Sequence, residues 1–573
     1  MYKTIIARLK IISVLVLSFF TIFCFAQERK PSDKDCKSSD VILYNGVIYT
    51  ANELNWRADI VAVKDRRIVF VGSNNDAAPW LCGAKQKIDL RGNIVYPGFT
   101  DSHQHLEGVG KRTRTLSLFG IRTLKETIGT IKTFASSVDE GQWVLGRGWI
   151  EREWEDEQRF LTAADLDAFT TNKPLFMPRA DGVSAVVNSK AMVLAGVTKD
   201  TPDPEGGKFE RYEDGTPTGY VLAAAMDYFR NILPQESSDY IRDNLHRGMQ
   251  VNVSRGWTSS HDAGMTWSEF TQLKRLAEED KVLHRVYVAV PIKEADELVQ
   301  NGTERIAGDL IYLNGIKVFI DGTLGSRGAA LLAPYHDADH SGFMNRTTKA
   351  ELMPVLQQAL KNGFQVMTHV IGDRALASTL DWYKEAWETL PKSEWDKTDL
   401  RWRLEHAQII PPDQQDRLAA LNVIASMQPS HAIGDLNFAP SRLGFERLTY
   451  AYPWKPLIDK NVLVVAGSDA PVEVGDPRIE FYAAISRSRL NGTRGKGWHP
   501  EYAVSREDAL RMFTLWPAYA SFQEDKLGSI EVGKYADFSI FDTDFMAAKP
   551  EDILKANAVM TVVNGKMVYS SLQ

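Results

Sequence analysis

Apolar and polar residues alternate in short runs at both ends of the chain. Near the N-terminus these runs are DVILYNGVIYT, DIVAVKDRRIVFVG and KQKIDLRGNIVYPG, and near the C-terminus LGSIEVGKYADFSIFDTD and AVMTVVNGKMVYSS. A two-residue period interrupted by turns such as Asn-Gly predicts β-strands joined as hairpins. Each end alone has too few strands to bury a core. We therefore predict one composite β-sandwich domain built from residues 27–95 and 525–573, rather than two separate caps.

Between these ends, residues 96–524 alternate short β-branched runs with helical patterns, as parallel βα units do. Eight runs predict strands: IVYPGFTDSH, GWTSSHDAG, LHRVYVAVP, LNGIKVFID, FQVMTHV, RWRLEHAQI, NVIASMQPS and VLVVAGSD. Eight parallel strands close a (β/α)8 barrel, so the predicted fold is α/β, a TIM-like barrel that carries the composite β-domain. The gap between the first two strands is too long for one crossover. We assign about residues 141–234 to an inserted subdomain on the substrate side.

The first 26 residues have a different pattern. Three basic residues precede an almost unbroken apolar run from Ile11 to Phe25, and Ala26 stands before a cleavage position at Gln27. This arrangement is typical of a secretory signal peptide. The run is shorter than the roughly 20 residues that span a membrane; an uncleaved anchor is the alternative. We predict a protein exported to the periplasm or secreted, with no stable membrane span after cleavage.

Composition narrows the class of protein. Hydrophobic residues make up 44% and charged residues 25%, which excludes collagen, coiled-coil and disordered chains. The formal net charge of −7 gives no electrostatic reason to expect nucleic-acid binding. We expect a soluble enzyme with a small-molecule substrate, and a homodimer is compatible with this. Cys36 and Cys82 would remain in an oxidising compartment after signal cleavage, and the sequence leaves their pairing open.

Candidate metal ligands stand where predicted strands end. His103 and His105 lie two positions apart, so both side chains leave the same face of a strand. The others are Lys317 in GIKVFID, His369 in VMTHV, His406 in RLEHA and Asp469 in VVAGSD. Each alone has a structural explanation, such as a helix cap or a hydrogen-bonded strand end. Catalytic groups of barrels come from several strand ends, however, and burying this set is costly without a cation or hydrogen bonds.

The motifs PGFTDSHQH, IKVFIDGTLGSRGAAL, THVIGDRA, RLEHAQ and GSDAPVE, in that order, resemble the metal-dependent amidohydrolase superfamily. Within it they are most similar to the amidohydrolase-3 branch, which includes YtcJ-like proteins and N-substituted formamide deformylases. The resemblance extends from Asp40 to the C-terminus. It implies hydrolysis of a carbon–nitrogen bond in an amide, N-acyl, formamide or cyclic amide group by metal-activated hydroxide.

The resemblance also implies a role for each ligand. Lys317 occupies the fourth-strand position that is carbamylated in members with two metal ions. Asp469 would contact the first ion and carry the proton. These nitrogen and oxygen ligands suit a divalent metal, zinc first, with manganese or iron as alternatives. The remaining implied ligands are His103 and His105 for the more buried ion, and His369 and His406 for the second.

Four further residues are candidates on weaker grounds. His431 follows the seventh strand and would polarise the scissile carbonyl, or is a structural loop residue. Asp321 and Arg327 follow the fourth strand, where Arg327 would bind a substrate carboxylate or pair with a surface acid. Trp149 in the insertion would form an apolar wall of the substrate site or pack in a core.

Two positions depart from the branch pattern. The chain reads Asp181-Gly182-Val183-Ser184 where branch members often have D-G-H-A, and Ala223 ends a segment that often carries a Glu. Both departures lie in the predicted insertion, so the substrate of a characterised relative does not transfer. Two other functions stay open: a deaminase or esterase–lactonase on the same scaffold, and a catalytically silent binding protein.

Overall fold

The structure, a computed structural model, describes residues 36–180, 184–234 and 237–572. The predicted signal peptide, residues 1–26, and Val183 lie outside the described residues. Within the described ranges, no helix has both the length and the hydropathy needed to cross a membrane.

The centre of the fold is a barrel of eight parallel strands. We number these barrel strands one to eight in chain order: Phe99–Gln104, Trp257–Ala263, Arg285–Pro291, Ile311–Phe319, Gln365–Val370, Arg403–His406, Ile424–Met427 and Val464–Ala466. Each pairs in parallel with the next. A bridge between Gln104 and Ala470, just after strand eight, closes the ring against strand one. The predicted α/β barrel is therefore confirmed, and each predicted run overlaps one barrel strand.

Helices cover the outside of the barrel because their apolar residues recur on one face. In the helix Asp373–Thr389, for example, Leu376, Leu380 and Tyr383 are buried. The helix Lys349–Asn362 begins at a capping box and ends at Gly363, whose φ of +67° suits glycine. The helices around the barrel are Leu106–Arg112, Ser238–Arg255, Trp267–Glu278, Ala295–Asn301, Lys349–Asn362, Asp373–Thr389, Pro412–Leu421, Pro429–Asp435, Ala439–Arg447, Trp454–Asp459, Pro477–Ser486, Arg506–Phe513 and Leu515–Ala520; a short strand, Glu304–Ile306, pairs with strand four.

Two further sheets are built from the chain ends and share one core. A four-stranded sheet holds Ser39–Tyr44, Ile60–Lys64, Arg67–Gly72 and Ala84–Asp89; a six-stranded sheet holds Val47–Tyr49, Arg57–Ala58, Ile94–Pro97, Phe538–Phe541, Ala558–Val563 and Lys566–Ser570; two short helices are Ala78–Gly83 and Pro550–Ile553. Leu43 and Val61 of the first sheet pack with Val95, Phe538 and Ile540 of the second. Strands from both termini lie side by side in the six-stranded sheet, which is the composite arrangement that neither end forms alone.

Cys36 and Cys82 form a disulfide bond. The sequence left this pairing open. The bond ties the start of the described chain to the helix Ala78–Gly83 across a sequence separation of 46 residues. Closing a loop of this size contributes roughly 2–4 kcal/mol to stability.

A buried ion pair joins the terminal domain to the barrel. Arg285, at the start of barrel strand three, donates from Nε to Asp537 at 2.6 Å, and both side chains are almost fully buried. Removing one partner of a buried pair leaves an uncompensated charge, which costs about 3–5 kcal/mol. We expect Asp537→Ala to lower the free energy of unfolding by about this amount, measured by urea denaturation. The exposed pair Lys349–Glu385, at 2.7 Å, supplies the control. Glu385→Ala should cost at most about 1 kcal/mol, and equal losses in the two variants would contradict the interpretation.

The inserted subdomain begins earlier than predicted. Its six-stranded sheet holds Leu116–Ser117, Val144–Arg147, Leu175–Pro178, Ser184–Val187, Gly207–Arg211 and Pro217–Ala223, and its helices are Leu124–Ser136, Ala163–Asp167, Ser189–Ala195 and Asp227–Arg230. The predicted start at residue 141 is therefore corrected to about residue 113. The first insertion strand has only two residues, too few to show alternation, and an amphipathic helix does not reveal which sheet it covers.

Candidate metal centre

Four histidines and one aspartate meet at the carboxyl ends of the barrel strands. The ring centres of His103 and His406 lie 4.8 Å apart, and those of His369 and His406 lie 4.4 Å apart. An oxygen of Asp469, Oδ1, lies 3.3 Å from Nε2 of His105 and 3.7 Å from Nε2 of His103. The barrel thus brings together side chains that lie as much as 366 residues apart, counted from His103 to Asp469.

The donor atoms of this cluster fit a cation. His103, His406 and Asp469 each offer one ligand atom, and the three atoms lie within 4.8 Å of one another. Both ring nitrogens of the buried His369 lack a hydrogen-bond partner among the described residues, which is costly unless another group binds them. Burial lowers the pKa of His103 to about 4 and of His369 to about 3. Both rings are therefore neutral near pH 7, the form that binds metals.

Lys317 lies inside the same cluster. Its Nζ is 3.1 Å from Nε2 of His103, and its side chain is almost completely buried. Burial lowers the pKa of Lys317 to about 8, despite the nearby carboxylates of Glu405 and Asp469. A charged ammonium here would repel a bound cation, whereas the neutral amine has the lone pair that carbamylation by carbon dioxide requires.

The backbone turns two of these residues toward the centre. His406 has a φ of +71° and Asp469 a φ of +59°, both in the left-handed region. Such a conformation costs about 1–3 kcal/mol and persists where the surrounding structure requires it, often at functional sites. Side chains of a regular strand alternate between its faces. The turn at His406 ends that alternation, so the side chains of Glu405 and His406 both reach the histidine–aspartate cluster.

Glu405 is a site residue that the sequence analysis missed. Its Oε2 lies 2.5 Å from Nδ1 of His103, and its Oε1 lies 2.8 Å from Nε of Arg403. Burial raises the pKa of Glu405, but the charge of Arg403 and the hydrogen bond with His103 outweigh burial and hold the pKa below its usual range. An ionised carboxylate on Nδ1 keeps the ring proton there and leaves Nε2 free to bind a metal.

This contact predicts that Glu405→Gln weakens metal binding about 10- to 100-fold, because an amide of the same shape holds the ring less strongly than a carboxylate. Titrating the metal-free protein with zinc measures the affinity without reference to activity. Glu480→Gln is the control, since Glu480 is another fully buried acid that accepts from the backbone of Ser430 at 3.0 Å. Equal zinc affinities for Glu405→Gln and the wild type would refute the role.

Hydrogen bonds hold the neighbouring ligands as well. Gln428 Oε1 lies 2.9 Å from Nδ1 of His406, which leaves Nε2 of that ring for the centre. Asp101 accepts from the backbone N–H groups of Ser468 at 2.8 Å and His103 at 3.2 Å. Burial raises the pKa of Asp101 to about 7. These bonds tie barrel strand one to the loop that carries Asp469.

His431 lies where the sequence placed it, on the helix after barrel strand seven. Its Nε2 is 3.6 Å from Oδ2 of Asp469 and 3.8 Å from Oε1 of Glu473. Gln408 Nε2 lies 3.4 Å from Nδ1 of His431 and donates to it, so the ring proton of a neutral His431 sits on Nε2. A donor at Nε2 therefore faces the cluster.

The three candidate substrate-binding residues need correction. Asp321 is buried and accepts from three backbone N–H groups, so it braces the loops beside His369 rather than facing a substrate. Arg327 forms two hydrogen bonds of 3.0 Å with Asp337, the surface pair that was the alternative. Trp149 is fully buried in the core of the insertion and donates to a backbone carbonyl, so it forms no substrate wall.

Phe319 is a second residue that the sequence did not indicate. It ends barrel strand four, its ring centre lies 5.1 Å from that of His369, and 41% of the residue is exposed. Lys317 Nζ lies 4.9 Å from the same ring centre. An exposed aromatic face beside two candidate ligands offers an apolar contact to a molecule that enters the barrel mouth.

Ala223, one of the two positions that depart from the branch pattern, is exposed at the end of the strand Pro217–Ala223 and has a φ of +49°.

The chain is similar to known proteins over most of its length. Residues 86–569 match the profile of a family described as the amidohydrolase family. The protein LONG AFTER FAR-RED 3 of Arabidopsis thaliana is 31% identical over 93% of this chain and 92% of its own length. The N-substituted formamide deformylase of Arthrobacter pascens is 28% identical over 92% of this chain and 98% of its own. A solved structure of an uncharacterized metal-dependent hydrolase from Pyrococcus horikoshii OT3 matches with a TM-score of 0.73 and 27% identity, over 89% of this chain and 99% of that one.

Proposed function

The chain belongs to the amidohydrolase family and is a hydrolase of carbon–nitrogen bonds, and we propose that a divalent metal centre at the barrel mouth serves this reaction. The family match confirms the resemblance drawn from the five motifs. The observation that carries the proposal is the buried group of His103, His406 and Asp469, whose ligand atoms lie within 4.8 Å of one another. Beside it lies His369, whose two ring nitrogens have no hydrogen-bond partner among the described residues.

Zinc is the proposed metal, because the donors are imidazole nitrogens and carboxylate oxygens. A metal bound here would lower the pKa of a water molecule and polarise the carbonyl group of the substrate. We assign His103, His105, His369, His406 and Asp469 as its ligands. Lys317 would supply a further anionic ligand as a carbamate, formed when its neutral amine adds to carbon dioxide and releases one proton.

Asp469 is the residue placed to carry the proton. Burial raises its pKa, but hydrogen bonding with His105 and the charges of the neighbouring histidines outweigh burial and hold the pKa well below its usual range. The carboxylate is therefore ionised and can take a proton at an Oδ atom. It can then deliver that proton to the departing nitrogen of the substrate.

The substrate carbonyl is expected to lie between Asp469 and His431. His431 has a partly exposed side chain and directs the Nε2 proton toward the cluster, so it can donate to the carbonyl oxygen. Phe319 would pack against an apolar part of the substrate on the side of His369. The proposed substrate class is an amide, formamide, N-acyl or cyclic amide compound, a class that includes the substrates named for the Arthrobacter deformylase.

A panel of compounds tests this proposal on purified, zinc-loaded protein. It contains an N-substituted formamide, an N-acetyl amino acid, a cyclic imide, a γ-lactone and an aminopurine. We expect amine or carboxylate release from at least one carbon–nitrogen substrate, abolished by a chelator and restored by zinc. Turnover of the lactone alone, or ammonia release from the aminopurine alone, would instead favour the esterase or the deaminase. No turnover of any compound by protein with its full metal content would favour a binding protein.

A further inference from the structure

A cleft of about 450 Å³ lies beside the metal centre, between the barrel and the inserted subdomain. One wall is the helix Leu106–Arg112, another is the end of the insertion strand Val144–Arg147, and the third is the loop after barrel strand eight. We call this the side cleft. Its lining includes Gly108, Lys111, Arg112, Phe119, Arg147 and Val472.

Two walls of the side cleft follow candidate metal ligands closely along the chain. His105 precedes the helix Leu106–Arg112, and Gly108 and Arg112 follow it by three and seven residues, so all three lie on one helix face. At 1.5 Å per residue, Arg112 lies roughly 10 Å from His105 along the helix. On the opposite wall, Val472 follows Asp469 by only three residues. A molecule bound at the metal centre can therefore extend into the side cleft.

Two arginines of the side cleft, Arg112 and Arg147, have no carboxylate within hydrogen-bonding distance among the described residues. Arg112 donates to the backbone carbonyls of Pro471 at 2.9 Å and Glu473 at 2.7 Å, rather than to a carboxylate. Arg147 lies over the ring of Phe119 at 5.5 Å and has no carboxylate partner among the described residues. Burial first, and the charge of Arg147 second, lower the pKa of Arg112, while the carboxylate of Glu473 acts in the opposite direction.

Two other arginines that line the side cleft, Arg179 and Arg230, are ion-paired. Arg179 pairs with Glu151 through two hydrogen bonds of 2.8 and 2.9 Å, and Arg230 pairs with Asp227 at 3.1 Å. No acidic side chain lines the side cleft in the described part of the chain. Like charges that face one space without a counter-ion attract an anion to it.

Exposed apolar side chains stand beside these cations. Phe119 is 49% exposed and Val472 is 68% exposed. Large exposed apolar groups next to a functional site often mark a ligand contact. An arginine held over an aromatic ring is also positioned in advance, and so loses less freedom when it binds a carboxylate.

We propose that the side cleft binds a carboxylate at the far end of an apolar substrate, with Arg147 as the residue that recognises it. This rests on the proposed function, in which the amide end of the same substrate occupies the metal centre. The carboxylate would lie several ångströms from the amide, as it does in 4-(formamidomethyl)benzoate, where ordinary bond lengths separate the two groups by roughly 8 Å.

Two formamides that differ only at this end form the kinetic test. We expect kcat/KM of the wild type to be at least about tenfold higher for 4-(formamidomethyl)benzoate than for N-(4-methylbenzyl)formamide, mainly through KM. Arg147→Ala should remove this advantage and leave the neutral formamide unaffected. Lys132→Ala, which removes an exposed cation of the same subdomain outside the side cleft, should change neither value.

Equilibrium binding keeps the test independent of turnover. We expect calorimetry to show 4-ethylbenzoate binding at least about tenfold more tightly than 4-ethylbenzamide, and Arg147→Ala to abolish the difference. Equal affinities for acid and amide, including no measurable affinity for either, overturn the inference. If the acid binds through Arg147 but neither formamide nor any carbon–nitrogen compound of the panel is hydrolysed, the proposed function fails and binding of a carboxylate in the side cleft stands. If both formamides are hydrolysed equally well, the inference fails and the function stands.

Discussion

Asp469→Asn should lose nearly all turnover while the fold and most of the metal remain. The asparagine keeps the shape of the side chain but cannot take a proton, and losing a general acid–base group costs roughly 10²- to 10⁴-fold in rate. The lowered pKa of Asp469 identifies an ionised carboxylate, and His103, His105, His369 and His406 remain to hold the ion. Steady-state kinetics and metal analysis on the same sample measure both quantities.

The control for this variant is Asp476→Asn. Asp476 lies seven residues further along, is also buried, and caps the helix Pro477–Ser486. That substitution should reduce stability by at most about 1 kcal/mol and leave the rate unchanged. An Asp469→Asn enzyme that keeps more than about a tenth of the wild-type rate would show that the proton travels through another group. His431 would then be tested first, because it lies 3.6 Å from Asp469.

Lys317→Ala should lose metal and activity together. The shortened side chain cannot form the proposed carbamate and leaves the space beside His103 unfilled, so the centre would lose an anionic ligand. We expect metal content to fall by at least half and turnover by roughly 10²-fold or more. Added formate, acetate or propionate should restore part of both, because a short carboxylate can occupy the position of the carbamate.

Lys173→Ala separates this effect from the general cost of removing a buried lysine. Lys173 is largely buried in the inserted subdomain, where its ammonium donates to the carbonyl of Ala135 at 2.9 Å. The candidate metal ligands belong to the barrel instead. The Lys173→Ala protein should keep its full metal content. A Lys317→Ala protein with full metal content and no response to carboxylic acids would refute the carbamate proposal.

The barrel could be predicted from the sequence because each of its strands is a short, strongly apolar run that a helical segment follows. The start of the insertion could not be predicted from the sequence. The strand Leu116–Ser117 is too short to carry a pattern, and its parallel pairing with Val144–Arg147 is a tertiary contact. The sequence could not decide between the two alternatives for Trp149 for the same reason. The insertion sheet that buries this residue was not apparent from the sequence.

The proximity of the candidate metal ligands could be predicted because five strand ends of a closed barrel face one mouth. The residues that contact and orient these ligands could not be predicted from the sequence. Alternation places Glu405 and His406 on opposite faces of a strand, and only the left-handed backbone at His406 brings both to the centre. Arg403, Gln428 and Phe319 likewise have ordinary strand-end environments in the sequence and acquire their roles from neighbours in space.

The sequence also could not indicate that two basic residues share the side cleft. Arg112 and Arg147 lie 35 positions apart in segments with no shared motif, and a net charge of −7 suggests no preference for anions. The two side chains line one cleft only once the insertion is folded against the helix that follows His105.

Metal stoichiometry tests most directly whether the histidine–aspartate cluster is the catalytic centre. The protein is purified from zinc-supplemented cells, and its metal content is measured by mass spectrometry beside that of the double variant His103→Ala/His406→Ala. We expect about two divalent ions per chain in the wild type, under about 0.2 in the variant, and hydrolysis of the formamide only in the former. A wild type that hydrolyses the formamide with under about 0.1 ion per chain, or a double variant that retains as much metal as the wild type, would contradict this assignment.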